Sequence, residues 1–159
     1  FAIKEWLLRA IYEKIIIFEG DLELNPVEIL NMMILNRENN LNCVFGYRFS
    51  KLNPIKSTFD WGNFIFTSFF NIIFGTQHTD ILCCAKAFYK NDIKKYNIIS
   101  NGFDIDIELA SVLSIVNKRY NIKQIPLSYD RRTFNQGKKL KIFDGWYILS
   151  RIIKTTKYL

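Results

Sequence analysis

The sequence predicts an α/β fold, and three observations carry that prediction. Short β-branched runs alternate with segments of helical spacing. The early order is helix, strand, helix, strand, which favours a sheet with right-handed crossovers. The chain, at 159 residues and 49% hydrophobic, is long enough to bury a real core.

The elements follow in order. Ala2–Glu13 places Ile3, Leu7, Ala10 and Ile11 at helical spacing. Ile15–Phe18 is a short apolar β-branched run, the pattern of a strand buried on both faces of a parallel sheet. Asn25-Pro26 opens a helix running to about Leu35, with Asn25 as N-cap, Pro26 at the first helical position and Glu28 in the first turn. Leu41–Phe45 reads as a second strand, ending at Gly46-Tyr47-Arg48. Lys51–Asp60 is a polar loop, and Trp61–Phe74 is an apolar, aromatic helix stopped by Gly75. Ile81–Tyr89 reads as a strand, Asp104–Val116 as an amphipathic helix, and Tyr120–Leu127 as a strand with Pro126 near its end. Arg131–Lys141 is a basic loop, and Ile142–Lys154 forms the closing helix. No repeat or linker divides the chain, so residues 1–159 are expected to form a single domain. The chain starts at Phe1 and reads as part of a longer protein.

Charge is divided unevenly. Residues 1–110 hold 11 Lys+Arg against 13 Asp+Glu, whereas residues 111–159 hold 11 Lys+Arg against Asp130 and Asp144 alone. A basic last third on a slightly acidic body points to a localised anionic partner. Cys43, Cys83 and Cys84 are odd in number and sit in apolar runs, which fits free buried thiols in a reducing compartment. The longest nearly apolar stretch, Phe64–Phe74, is too short to span a bilayer, for which about 20 residues are needed.

Four clusters carry chemistry. Glu19, Asp21 and Glu23 stand at alternate positions just past a strand; in extended chain they would converge, and converging carboxylates suit Mg²⁺ or Mn²⁺. An acidic strand-to-helix turn is the plain alternative. Arg48 ends the next strand, where a guanidinium suits a phosphate. The loop Tyr129–Lys141 packs five cations around Gly137. Gln77-His78-Thr79-Asp80 holds the lone histidine, which reads as structural, and Asp80, a base or a cap. One His and unspaced cysteines build neither a catalytic triad nor a zinc site.

Taken in order, these pieces resemble family 2 glycosyltransferases of the dolichyl-phosphate mannosyltransferase, or polyprenyl-phosphate glycosyltransferase, type. The matching stretches are Glu19–Glu23 with Asn25-Pro26 and Glu28; Val44–Phe49; Thr79-Asp80 with Cys84–Phe88; Gly102–Glu108; and Ile125–Tyr129 with Arg132-Thr133-Phe134 and Gly137-Lys138-Lys139. They cover the second half of that family's catalytic domain. The resemblance implies an incomplete GT-A-like (Rossmann-like) fold lacking the N-terminal nucleotide-binding strands. It implies inverting transfer of a sugar from a GDP- or UDP-linked donor to a polyprenyl or dolichyl phosphate on the cytoplasmic side of a membrane. Glu19, Asp21 and Glu23 would take Mg²⁺ or Mn²⁺, with Glu19 standing where the family has Asp. Arg48, Arg132, Lys138 and Lys139 would face phosphates; Asp80 and Arg132 would be the catalytic pair. Trp61, Phe64, Phe69 and Phe70 would lie at the membrane interface, and nucleic acid would not be a partner. Transfer to a sugar hydroxyl in polysaccharide synthesis, and an inactive truncated remnant, remain the competing expectations.

Overall fold

The computed structural model describes residues 2–48, 58–102, 104–117, 122–130 and 144–159. Its elements are α1 (Ala2–Arg9), β1 (Lys14–Ile17), α2 (Glu28–Met32), β2 (Cys43–Tyr47), α3 (Thr58–Phe74), β3 (Lys86–Tyr89), α4 (Lys90–Ile93), α5 (Ile105–Val116), β4 (Ile122–Pro126) and α6 (Asp144–Thr155), closed by a 3₁₀ turn at Thr156–Tyr158.

The four strands lie in the order β1-β3-β2-β4. β3 is antiparallel to both neighbours, Lys14 facing Tyr89 and Cys43 facing Phe88, and β2 is parallel to β4. The sheet is therefore mixed. The Ile15–Phe18 run does form a strand, but an antiparallel edge strand with half-buried isoleucines, not one buried on both faces of a parallel sheet. β-branched residues specify a pleated, partly buried surface; they do not specify the direction of the partner. Because β1, β2 and β4 point the same way, their carboxyl ends and the amino end of β3 meet at one edge of the molecule.

Alternation along the strands builds two apolar layers. Cys43, Phe45 and Phe88 pack with Phe70, Phe74, Leu109, Leu113, Ile148 and Ile152 from α3, α5 and α6. Val44, Ala87 and Tyr89 pack with Leu24, Met32 and Leu35. α5 is buried from Ile107 to Ser114, which explains its nearly continuous apolar sequence.

Several element bounds differ for local reasons. Asn25 accepts a hydrogen bond from Val27 N at 3.1 Å, so it caps a turn, and the helix proper runs only from Glu28 to Met32. α3 begins at Thr58 and ends as expected, with Gly75 in the left-handed region at φ 58°. The strand expected over Ile81–Tyr89 begins only at Lys86, because residues 81–85 form a turn and loop. Gly46 is required for close approach: a Cβ there would run into the Leu127 side chain and lie 3.1 Å from Ala85 Cβ.

Candidate functional site

The shared edge holds most of the residues singled out from sequence, but in a different arrangement. After β1 the chain does not continue extended. Residues 20–23 bend, Leu22 takes a left-handed φ of 65°, and Asp21 Oδ1 accepts a hydrogen bond from Glu23 N at 3.1 Å. A non-glycine residue in this region is uncommon and uphill. The bend is tied down from the far side: Asp130 N donates to Glu23 O at 2.8 Å, and Ser128 N to Glu28 Oε1 at 3.1 Å.

This geometry corrects the alternate-residue expectation. Glu19, Asp21 and Glu23 do not converge, because convergence presumed extended backbone across Leu22. Among the described residues no three His, Cys, Asp or Glu side chains stand together closely enough to hold a metal by themselves. What surrounds Glu19 instead is the charge of Asp106 from the first turn of α5 and that of Asp21, with the Cys84 thiol and Arg48 close by. Glu19 is an exposed residue, yet the protein mass around its carboxyl, then the negative charges of Asp106 and Asp21, raise it above its ordinary value.

Arg48 and Asp80 are found in each other's grip. Arg48 Nε and Nη2 donate to the two Asp80 oxygens at 2.8 and 3.0 Å, and Arg48 N donates to Oδ2 at 3.2 Å. Asn63 of α3 adds a fourth hydrogen bond at 2.8 Å. The Asp80 side chain is fully buried and that of Arg48 is 20% exposed. Burial works to raise the Asp80 carboxyl, but the Arg48 charge and the hydrogen bonds from Arg48 and Asn63 outweigh it, holding the group below the usual carboxylate range. Asp80 is thus held as an anion by Arg48 and Asn63. For Arg48, the guanidinium edge formed by Nε and Nη2, one that would suit a bidentate phosphate, is occupied by Asp80.

One turn, residues 80–85, links these two sides. Asp80 holds Arg48, and Ile81 N donates to Thr67 Oγ1 at 3.4 Å. The carbonyls of Ile81 and Cys83 accept from Lys86 Nζ, Cys84 reaches Glu19, and Ala85 O accepts from Gly46 N at 2.9 Å. Lys86, Cys84 and Asp106 escaped sequence assignment of a role. Asp106 lay in the Asp104-Ile105-Asp106-Ile107-Glu108 stretch, whose spaced carboxylates were the available signal. Its neighbours go elsewhere: Asp104 pairs with Arg151 at 2.7 Å, and the buried Glu108 accepts from Ser100 N at 2.7 Å.

His78 is structural, as its isolation in the sequence suggests. Nε2 lies 2.8 Å from Ser114 Oγ, the ring stacks on Phe45 at 4.9 Å, and Nδ1 is buried without a partner among the described residues. Burial, helped by the nearby Lys86 charge, lowers its pKa from 6.5 to about 4. Below pH 6.5 the unfolded chain takes up a proton that the folded chain refuses. Stability should thus fall by about 3 kcal/mol as pH drops from 6.5 to 4, then stop falling on this account. Urea unfolding of the parent and of His78→Gln across this window checks the expectation. Equal pH slopes in the two proteins would refute it.

The aromatic helix splits between core and surface. Phe70 is fully buried and stacks on Phe74 at 4.4 Å, and Phe69 packs partly against the core, so neither belongs to an outer face as expected. Trp61, Phe64 and Ile65 of α3 are exposed, as are Trp146 and Tyr147 of α6, which packs close by: a Cβ on Gly145 would lie 3.1 Å from Phe66 Cζ. Among the described residues no helix is long and apolar enough to cross a membrane. Arg132, Lys138 and Lys139 lie outside the described residues.

Comparison with protein-family models and with curated proteins returns no match. Among solved structures the chain is similar to glucosyl-3-phosphoglycerate synthase from Mycobacterium tuberculosis in complex with uridine diphosphate, with a TM-score of 0.69 at 10% identity. The likeness covers 98% of this chain and 54% of that one, so the chain spans about half the length of the solved structure it matches. At this identity the likeness establishes the fold: the mixed α/β architecture is GT-A-like and corresponds to part of such a domain.

Proposed function

We propose that the full-length protein is an inverting glycosyltransferase. It moves a sugar from a GDP- or UDP-linked donor to a polyprenyl phosphate on the cytoplasmic side of a membrane, and residues 1–159 supply part of its single catalytic domain. The observation that carries this reading is the meeting, at the carboxyl ends of β1 and β2, of Glu19 and Asp21 with the Asp80-oriented Arg48, on a GT-A-like fold. In open α/β sheets that end of the strands is where ligands bind. Of the residues marked from sequence, Arg132, Lys138 and Lys139 keep their proposed phosphate-facing role.

The donor set fits a divalent ion shared with substrate better than a protein-only cage. Mg²⁺ and Mn²⁺ are commonly held by one or two carboxylates plus substrate phosphates, and Glu19 stands crowded by the charges of Asp21 and Asp106. Glu19 and Asp21 would hold the ion, with Glu23 placed beyond the bend at Leu22. When bound, the ion neutralises charge developing on the diphosphate leaving group. Arg48 adds a fixed cation aimed by Asp80. The acceptor phosphate is already an anion at neutral pH and needs little help from a base, in keeping with an Asp80 engaged elsewhere. Inversion at the anomeric carbon follows from one in-line displacement. The exposed aromatics of α3 and α6, together with Lys154 and Lys157, support docking on an anionic membrane surface.

The test uses the full-length protein with labelled UDP-glucose or GDP-mannose, Mn²⁺, and vesicles carrying a short polyprenyl phosphate. Label is expected in the lipid-phosphate fraction and should be abolished by EDTA. Label transferred only to a water-soluble sugar acceptor would overturn the lipid acceptor and favour polysaccharide synthesis. No donor turnover or binding under any condition would overturn the enzyme reading.

A further inference from the structure

Lys86 is the most unusual residue of the core. It sits on the strand β3 with its side chain 1% exposed, in a position facing Phe45 and the apolar layer beneath α3 and α5, where an aliphatic residue would satisfy the fold. Burying an ammonium is expensive unless every proton finds an acceptor. Here the three donors are matched: Ile81 O at 3.4 Å, Cys83 O, and Asp106 Oδ1 at 3.2 Å, with the Phe45 ring centroid 5.6 Å from the nitrogen. Two of these acceptors belong to the turn that starts at Asp80, the partner of Arg48, and continues to Cys84, a neighbour of Glu19. The third belongs to the carboxylate on α5 whose charge acts on Glu19.

We propose that Lys86 is a positioning residue for the diphosphate end of a nucleotide-sugar donor. Its ammonium pins the turn 81–84 from below and fixes the charged Asp106 beside Glu19. The cation side of the site at Arg48 and the carboxylate side at Glu19 and Asp21 are thereby set by one buried group. Removing the charge frees two carbonyls, leaves Asp106 uncompensated next to Glu19, and loosens both partners of the turn together. Groups that hold ligating side chains from behind typically cost 10–100-fold when removed. The proposal rests on the donor-binding reading above and extends it to residues that do not touch the donor.

The test is calorimetric titration of the full-length protein with UDP and with GDP in the presence of Mn²⁺, alongside thermal unfolding without nucleotide. Lys86→Met and the near-isosteric Asp106→Asn are each expected to weaken binding by about 10-fold. Ile152→Val, a destabilising change in the core between α5 and α6, is expected to lower the melting point without altering affinity. Should Lys86→Met fail to fold, Asp106→Asn alone decides. Variants that melt lower yet bind within about twofold of the parent overturn the proposal and leave Lys86 a packing residue, with donor binding intact. A parent protein that binds neither nucleotide overturns the donor reading itself, and the proposal with it.

Discussion

Asp80→Ala is expected to lower the unfolding free energy by about 3–5 kcal/mol, the usual cost of removing one partner of a buried ion pair. The reason lies in what stays behind. Arg48 cannot shed its proton, and its side chain is four-fifths buried, so the change takes two hydrogen bonds and a counter-charge from the guanidinium and a third hydrogen bond from the Arg48 backbone N–H. Asn63 Nδ2 loses its acceptor at the same time, which leaves the bond from Ile81 N to Thr67 Oγ1 to tie α3 to the 80–85 turn. Asp80→Asn should cost less, since an amide oxygen can still accept from Arg48. Urea unfolding of the three proteins checks the order parent, Asn, Ala. An alanine variant within 1 kcal/mol of the parent would show that Arg48 finds another anion, and would return Asp80 to the list of candidate bases.

Asp21→Asn should act on function and spare the fold. The Asn side chain keeps an oxygen to accept from Glu23 N, so the turn through Leu22 stays closed. The negative charge is lost. Transfer by the full-length protein is expected to drop on the order of 10²-fold in kcat/KM, the scale seen when one fixed group facing a developing charge is removed. The Mn²⁺ concentration needed for half-maximal rate should rise, and the melting point should stay put. Undiminished transfer at low Mn²⁺ would dismiss Asp21 as a ligand. A fall in melting point matching the fall in activity would mark the residue as structural.

The sequence made some of this legible and concealed the rest for identifiable reasons. α5 was visible because its apolar residues recur at helical spacing, and α3 because an apolar stretch of helical length ends at Gly75, which marks a stop whatever surrounds it. Glu19 and Arg48 were each marked because they follow short strands; that the two strands run the same way, and so bring them to one edge, shows only in the sheet. Pairing direction was not visible, since Ile15-Ile16-Ile17 suits either kind of neighbour. Convergence of Glu19, Asp21 and Glu23 was misread because alternation holds only in extended chain, and nothing in the residue type of Leu22 announces φ 65°. Arg48 and Asp80 each looked like a site residue; their pairing joins positions far apart in sequence and shows only in three dimensions. Lys86 was the least legible, because a lysine in an apolar stretch reads as a strand residue facing water, and only the turn before it supplies the acceptors that let it turn inward.

The strand order has a consequence for how the chain acquires its shape. β1 and β2 run in the same direction and never touch; β3, which follows both in sequence, lies between them, so that Lys14 waits for Tyr89 and Cys43 for Phe88. No local hairpin can start this sheet. Within this sheet neither β1 nor β2 meets its antiparallel partner until Lys86–Tyr89 arrives to join them. Sheets assembled from such distant pairings form slowly.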